Sequence, residues 1–427
     1  MAQIIQAKSG LISPQMRFVA KKEGIDPIVL AKRIARGEAV IFSNNLRRPK
    51  ETTAVGTGLK TKVNVNIGTS TDKTDFKLEL LKLRESIRLK ADTVMDLSVG
   101  KDTQRIRNII LEKSPLPVGT VPIYEAAILA EKKKGSLLKL DIETILDCIE
   151  TQAKEGVDFF TIHCGITKEG LKLLETRKRQ IKMVSRGGAI LSAWMKANNK
   201  ENPFYEYFDE ILKIAYKYDI VLSLGDALRP GAIADATDEA QINELKTLAR
   251  LVQRAREHNA QVIVEGPGHV PINQIQTNIA LEKKYCKNAP FYVLGPLVCD
   301  IAAGYDHITA AIGGALAASF GADFLCFVTR AEHLSHPTLE DTREGLIASR
   351  IAAHSADVAK GIKSAQNWDS QISIARRNRN WKKLIALAID PERARQLRRS
   401  IKPKDSKTCS MCGKYCSMKL IEECIAS

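Results

Sequence analysis

No apolar run in this sequence reaches the roughly 18 residues that a membrane span requires, although hydrophobic residues make up 44% of its 427 positions. The opening stretch, MAQIIQAKSG, lacks the apolar core and small-residue cleavage site of a secretory signal. Both absences set aside membrane-embedded and exported classes and predict a cytoplasmic protein. Aromatic residues are sparse, at 5%, and the basic residues lack the interleaved aromatics expected of a nucleic-acid surface. Acidic residues are outnumbered, 49 against 65 Lys and Arg, which leaves a net charge of +16. With nucleic acid set aside, that charge suits an anionic small substrate or an acidic electron donor.

The cysteines lack the even pattern of a disulfide framework. Five of the nine (Cys148, Cys164, Cys286, Cys299 and Cys326) are scattered, and three more crowd the tail in CSMCGKYC, at positions 409 to 416. A reducing compartment and a bound metal follow from that usage. Cys409, Cys412 and Cys416 form a C-x2-C-x3-C array with no fourth thiol at matching spacing, Cys424 being eight residues further on. A closed zinc site takes four protein ligands, so a zinc knob would need Cys424, and a zinc-binding interaction module is one reading of the tail. The other is an iron-sulfur cluster on three thiolates, whose fourth iron is open to a reactive ligand such as S-adenosylmethionine, which chelates through its amino and carboxylate groups.

The length accommodates one large domain of about 250 residues with appendages. Residues 1–60 read as a small N-terminal region with a helical start and the loop RRPKETTAVGTG. Over residues 61–340, nine short apolar runs alternate with helix-length stretches: KVNVNI, DTVMDLS, LPVGTVPIY, DFFTIHCG, IKMVSRGG, DIVLSLGD, QVIVEGPGH, FYVLGP and DFLCFVT. That alternation predicts an α/β fold, a (β/α)8 TIM-type barrel ahead of a doubly wound sheet. Residues 341–400 read as helical, their basic run ARRNRNWKK as a solvated helix face, and residues 401–427 as a linker-like, flexible arm carrying the cysteines.

Nearly every run ends in polar residues: Asn64 and Asn66, Asp96, Tyr124, His163, Ser185 and Arg186, Asp226 and Arg229, Glu265 and His269, and Tyr292. In a β/α barrel the carboxyl ends of the strands share one face, so these side chains are expected to converge. Arg186 in SRGG and Arg229 in DALRPG sit beside glycines, which let backbone N–H groups approach phosphate oxygens; a phosphorylated substrate is expected. Asp226, Glu265, Tyr124 and His163 offer acceptors and proton carriers for a polar ring. His269 in EGPGHVP and His333 in TRAEHLSHP both follow strand ends and together could hold zinc or iron with open positions.

Ten ordered motifs, MRFVAKKEGIDP, TKVNVNIGTS, ADTVMDLSVGKD, SPLPVGTVPIY, GVDFFTIHCGI, MVSRGGAI, SLGDALRPG, IVEGPGHVP, APFYVLGPLVCDIAAGYDHIT and the cysteine tail, resemble those of the phosphomethylpyrimidine synthase (ThiC) family over essentially the whole chain. The resemblance implies a radical S-adenosylmethionine enzyme in which a [4Fe-4S] cluster on the tail passes one electron to S-adenosylmethionine, giving methionine and a 5'-deoxyadenosyl radical. The radical would convert 5-aminoimidazole ribotide to 4-amino-5-hydroxymethyl-2-methylpyrimidine phosphate, with formate and carbon monoxide released. Carried over by motif, Asn66, Met95, Tyr124, His163, Ser185, Arg186, Gly187, Asp226, Ala227, Leu228, Arg229, Glu265 and Tyr292 would contact substrate. His269 and His333 would hold the second metal, Zn2+ or Fe2+, and Cys409, Cys412 and Cys416 the cluster with S-adenosylmethionine. The resemblance further implies a homodimer whose cysteine arm reaches the partner's barrel, with a flavodoxin or ferredoxin as electron donor.

The chain departs from the family pattern in places. Its tail is one residue shorter than the common C-x2-C-x4-C, Ala227 stands where Gly is common, Arg330 where Pro is usual, and Val65 for Ala. RNWKK is basic where acidic residues commonly flank the Trp, and VIFSNN replaces VIPAN. These changes border the motifs without deleting a named contact. They keep open a paralogous activity on the same substrate, 5-hydroxybenzimidazole synthesis for anaerobic cobamides.

Overall fold

A computed structural model describes residues 2–176 and 178–425; Met1, Arg177 and the last two residues of the tail lie outside the described residues. The chain divides into two compact units, one ending at Ala356 and the other starting at Asp357.

The first unit opens with helices Gln3–Lys8, Pro14–Glu23 and Pro27–Arg36. Their boundaries are local: the Ser13 hydroxyl accepts from the Met16 N–H, Pro14 and Pro27 occupy first-turn positions where no backbone donor is needed, and Gly24 and Gly37 end the helices in the left-handed conformation. Part of the segment read as a loop is a strand, because TAVG pairs with the apolar AVIF: β1 (Ala39–Phe42) and β2 (Thr53–Gly56) form an antiparallel hairpin.

Eight parallel strands then close a barrel. They are β3 (Lys62–Ile67), β4 (Thr93–Asp96), β5 (Val118–Thr120), β6 (Phe159–Ile162), β7 (Val221–Leu224), β8 (Gln261–Gly266), β9 (Phe291–Leu294) and β10 (Phe324–Cys326), with β10 pairing both β9 and β3. Closure buries both faces of each strand, so they read as near-continuous apolar runs. Phe42 of β1 plugs the amino-terminal end, its ring centroid 4.8 Å from Phe159 and 5.7 Å from Phe324, each the first residue of its strand. Burying one such ring is worth roughly 1.5–3 kcal/mol.

Eight of the nine apolar runs are barrel strands. The ninth, IKMVSRGG, is not: residues 178–185 make no ladder, and helix Arg186–Asn198 begins at once. Side chains hold this segment instead. The Asp235 carboxylate accepts from the N–H groups of Gln180 and Ile181, and Arg179 forks onto Asp238 at 2.6 and 2.7 Å. The run is a long β/α connection that carries Ser185 and Arg186 to the barrel mouth.

The second unit is helical, with helices Lys363–Arg377, Trp381–Leu387 and Pro391–Ser400. The tail read as a linker-like arm carries structure of its own: turns over 401–412, a short 3-10 turn at Gly413–Tyr415 and helix Ser417–Ile425. Arg398 ties it down by lying over the Trp381 ring at 4.0 Å and donating to the carbonyls of Ser406 and Thr408, each at 2.9 Å. Arg379 pairs with Glu422 at 2.7 Å.

Candidate active site at the carboxyl end of the barrel

A cavity of about 290 Å³ opens at the carboxyl ends of the strands. Asn66 (β3), Met95 (β4), Tyr124 (the helix after β5), His163 (just past β6), Ser185 and Arg186, Asp226 and Arg229 (after β7), Glu265 (β8) and Tyr292 (β9) all line it. Residues up to 226 positions apart in the chain thus meet in one space. Asp96, at the end of β4, does not line it; its carboxylate accepts from the Ser98 N–H, and burial raises it to about 6.

Gly187, Ala227 and Leu228 do not line the cavity either. Gly187 lies against the His163 ring, where an added Cβ would come within 2.3 Å of Cε1. Ala227 and Leu228 are fully buried, and their N–H groups donate to the two oxygens of Glu244 at 2.9 and 2.7 Å. These residues shape the loop that presents Asp226 and Arg229. Glu244 was missed because it lies mid-helix, in Glu239–Glu257, where a single acidic residue carries no sequence signal.

Burial dominates the electrostatics. It pushes the Asp226 carboxyl up to about 8, outweighing the attraction of Arg229 at 3.2 Å, and nearby Glu265 adds to the rise. Glu244 also rises to about 8, through burial and then the Asp226 charge. His163 falls to about 3, again through burial and then Arg229, so its imidazole is neutral at pH 7. Glu265 is raised by burial but held by hydroxyls: Thr161 and Ser223 donate to its Oε1 at 2.7 and 2.6 Å. The Arg186 guanidinium lies 5.1 Å over the Tyr124 ring.

Among the described residues, three buried atoms here find no hydrogen-bond partner: His163 Nδ1, Asp226 Oδ2 and Arg229 Nε. Buried polar atoms without partners cost about 1–3 kcal/mol each, and the three around one cavity are donors and acceptors suited to a polar, anionic ligand.

Three polar lining residues escaped the sequence reading, Thr161, Cys326 and Glu332, along with apolar or glycine positions such as Leu97, Val121 and Gly266. The Cys326 sulfur accepts from Asn66 Nδ2 at 3.2 Å, and burial pushes its thiol up to about 11. Its place within the apolar run DFLCFVT was the available signal, and the structure ends β10 at it. An adjoining cavity of about 260 Å³ shares Asn66, Arg186 and Glu332 and reaches Glu79, His333 and His336.

The His269 and His333 rings lie 5.2 Å apart, centroid to centroid. Asp300 Oδ1 engages His269 Nδ1 at 2.8 Å, leaving Nε2 as the nitrogen available to a metal. Asp306 lies 3.8 Å from His333. All nine cysteines are free thiols. In the tail, Cys409 is half-buried, Cys416 is buried, and the Cys412 N–H is the main contributor holding the Cys409 thiol below its ordinary value. Among the described residues, no three His, Cys, Asp or Glu side chains are gathered tightly enough to hold a metal ion.

Residues 2–423 match a family model described as the radical SAM ThiC family. The chain belongs to the radical SAM ThiC family. Its relatives include phosphomethylpyrimidine synthases of Thermoanaerobacter sp. (strain X514), 53% identical over 423 residues covering 99% of this chain and 98% of the relative, and of Methanocaldococcus jannaschii, 52% identical over 99% of each. Among solved structures, a dihydropteroate synthase from Coxiella burnetii superposes weakly, with a TM-score of 0.41 and 11% identity over 74% of this chain and 99% of that one. This family member is therefore an enzyme that works with S-adenosylmethionine and an iron-sulfur cluster. No helix among its described residues is long and apolar enough to cross a membrane.

Proposed function

We propose that this enzyme converts 5-aminoimidazole ribotide to 4-amino-5-hydroxymethyl-2-methylpyrimidine phosphate, with formate and carbon monoxide released. One observation carries the reading: the three unpartnered buried atoms of His163, Asp226 and Arg229 surround a cavity with two arginines at its wall. Arg186 and Arg229 suit a ribotide phosphate. Asp226, protonated at neutral pH, can donate to the ring substituents, and neutral His163 can accept or donate there. Glu265, fixed by two hydroxyls, holds a defined direction for a hydrogen bond.

Cys409, Cys412 and Cys416 would hold a [4Fe-4S] cluster, whose chemistry with S-adenosylmethionine is one-electron cleavage to a carbon radical. The donor set fits, since three thiols lie within eight residues and backbone N–H groups turn toward the first sulfur. Metal sites and local folding form together, so binding of the cluster would bring the three sulfurs around it. His269 and His333 would hold Zn2+ or Fe2+, with Asp300 orienting His269. The adjoining cavity between Arg186 and His333 offers room for S-adenosylmethionine. A homodimer accords with exposed Ile308 and Ile312, four residues apart on helix Asp306–Phe320, with exposed Tyr305 at its N-cap and Ile301 (95% exposed) before it. Nine free thiols suit a reducing, cytoplasmic setting.

Anaerobic incubation of the reconstituted enzyme with 5-aminoimidazole ribotide, dithionite and S-adenosylmethionine tests the reading. A phosphorylated pyrimidine is expected; a fluorescent benzimidazole would instead assign the cobamide-precursor activity.

A further inference from the structure

The positive charge of this chain is not spread evenly. From Asp357 onward, 16 Lys and Arg face seven Asp and Glu, so this unit of 71 residues holds nine of the chain's 16 net positive charges. Within it the bias sharpens next to the cysteines. Arg393, Arg395, Arg399, Lys402, Lys404 and Lys407 are all exposed, and among the described residues none of them makes an ion pair. Over residues 393–407 the one carboxylate is Asp405, which is already engaged by the Lys407 N–H at 2.9 Å and by Lys419 at 3.5 Å. Like charges so close raise the local potential and are retained without a stabilising partner.

This cationic run is also fixed relative to the cluster motif. Arg395 and Arg399, four residues apart on helix Pro391–Ser400, share a face. Between them in sequence, Arg398 turns to the Trp381 ring and to the carbonyl of Thr408, the residue before Cys409. The same helix therefore exposes two arginines and anchors the start of the cysteine loop.

We propose that this surface, Arg393 to Lys407, docks a small acidic one-electron carrier protein. The inference rests on the cluster assignment above. The carrier gives up one electron and the enzyme takes up one, so no further co-reactant is needed. Complementary charge raises the encounter rate at low ionic strength, where the Debye length exceeds about 8 Å.

The test uses the full-length reconstituted enzyme, reduced flavodoxin as the acidic probe, and the double variant Arg395→Gln with Arg399→Gln; Lys402→Gln with Lys404→Gln serves as a second pair outside the helix. Flavodoxin binding is read directly, on chains with and without the cluster, and S-adenosylmethionine cleavage is driven either by flavodoxin or by dithionite. At low salt the Kd for flavodoxin is expected to rise about tenfold in each pair, and the flavodoxin-driven rate to fall with it, while the dithionite-driven rate stays unchanged. An unchanged Kd in both pairs would overturn the proposal, as would an equal loss with dithionite, or an RNA oligonucleotide displacing flavodoxin at substoichiometric concentration. Wild-type enzyme that binds flavodoxin but cleaves no S-adenosylmethionine with dithionite would sink the cluster assignment and leave the docking surface standing.

Discussion

Gly187→Ala is the sharpest test of how the cavity is built. An ideal Cβ at Gly187 would sit 2.3 Å from His163 Cε1 and 2.4 Å from Nδ1, about 1 Å inside ordinary van der Waals contact. The ring has little room to retreat, because it is buried, 3% exposed, and packs close to Gly225 on another side. Either the imidazole leaves its rotamer or helix Arg186–Asn198 moves outward, carrying Arg186 with it. Overpacking of this kind costs about 1–3 kcal/mol, offset by roughly 0.5–1 kcal/mol from replacing a helical glycine with alanine. A net loss of about 1–2 kcal/mol is expected in denaturant unfolding. A shift of about 1 Å in Arg186 is expected to lower kcat/KM about a hundredfold. The cause is isolated by repeating Gly187→Ala in a His163→Ala background and reading stability. Without the ring the added methyl has space, so the two changes should be non-additive by about 1 kcal/mol or more. Additivity within about 0.3–0.5 kcal/mol, together with full activity in the single variant, would refute the packing account.

Stability should fall as pH rises through about 4 to 8, since Asp226 and Glu244, raised to about 8, keep protons in the folded state that the unfolded chain releases near its ordinary carboxyl range. Asp219 and Glu282, each raised to about 7, act in the same direction, whereas His163, lowered to about 3, removes stability as pH falls below about 6.5. Urea unfolding from pH 5 to 9 reads the slope, which Asp226→Asn should flatten between pH 6 and 8; an unchanged slope contradicts its burial as the cause. Cys412→Ala should lose cluster iron and all product formation while the far-UV spectrum is kept, and a collapsed spectrum would show the tail to be part of the main fold's stability. Asp300→Asn should weaken metal binding at His269 about 10–100-fold without changing cluster iron, which metal analysis after dialysis would show; equal loss of both metals would refute the assignment. Mixed dimers of Cys412→Ala and Arg229→Ala chains should regain activity if arms are exchanged between subunits, and inactive verified heterodimers would argue against exchange.

Much of the site was legible because its signals are local. A strand in a closed parallel barrel is buried on both faces, so DFFTI and QVIVEG stand out as apolar runs, and the polar residue that ends each run marks the mouth. IKMV misled because a short apolar run carries no mark of whether a neighbouring strand is there to pair with it. Asp235, some 55 positions away, supplies the hydrogen bonds that hold it as a connection. Cys326 reads in sequence as one scattered cysteine, and only closure of β10 against β3 sets it beside Asn66.

From the sequence alone came the α/β alternation, the family motifs, the cysteine spacing and the basic bias, all of which depend on residue type and short-range order. Tertiary structure alone decided which motif residues face the cavity and which hold it open. Asp226 and Arg229 point to it while Ala227 and Leu228, between them, are spent on Glu244. It also decided that Asp226 is protonated and His163 neutral at pH 7. Both follow from desolvation, a sum over every neighbour that folding brings near, and so from contacts that no local pattern records.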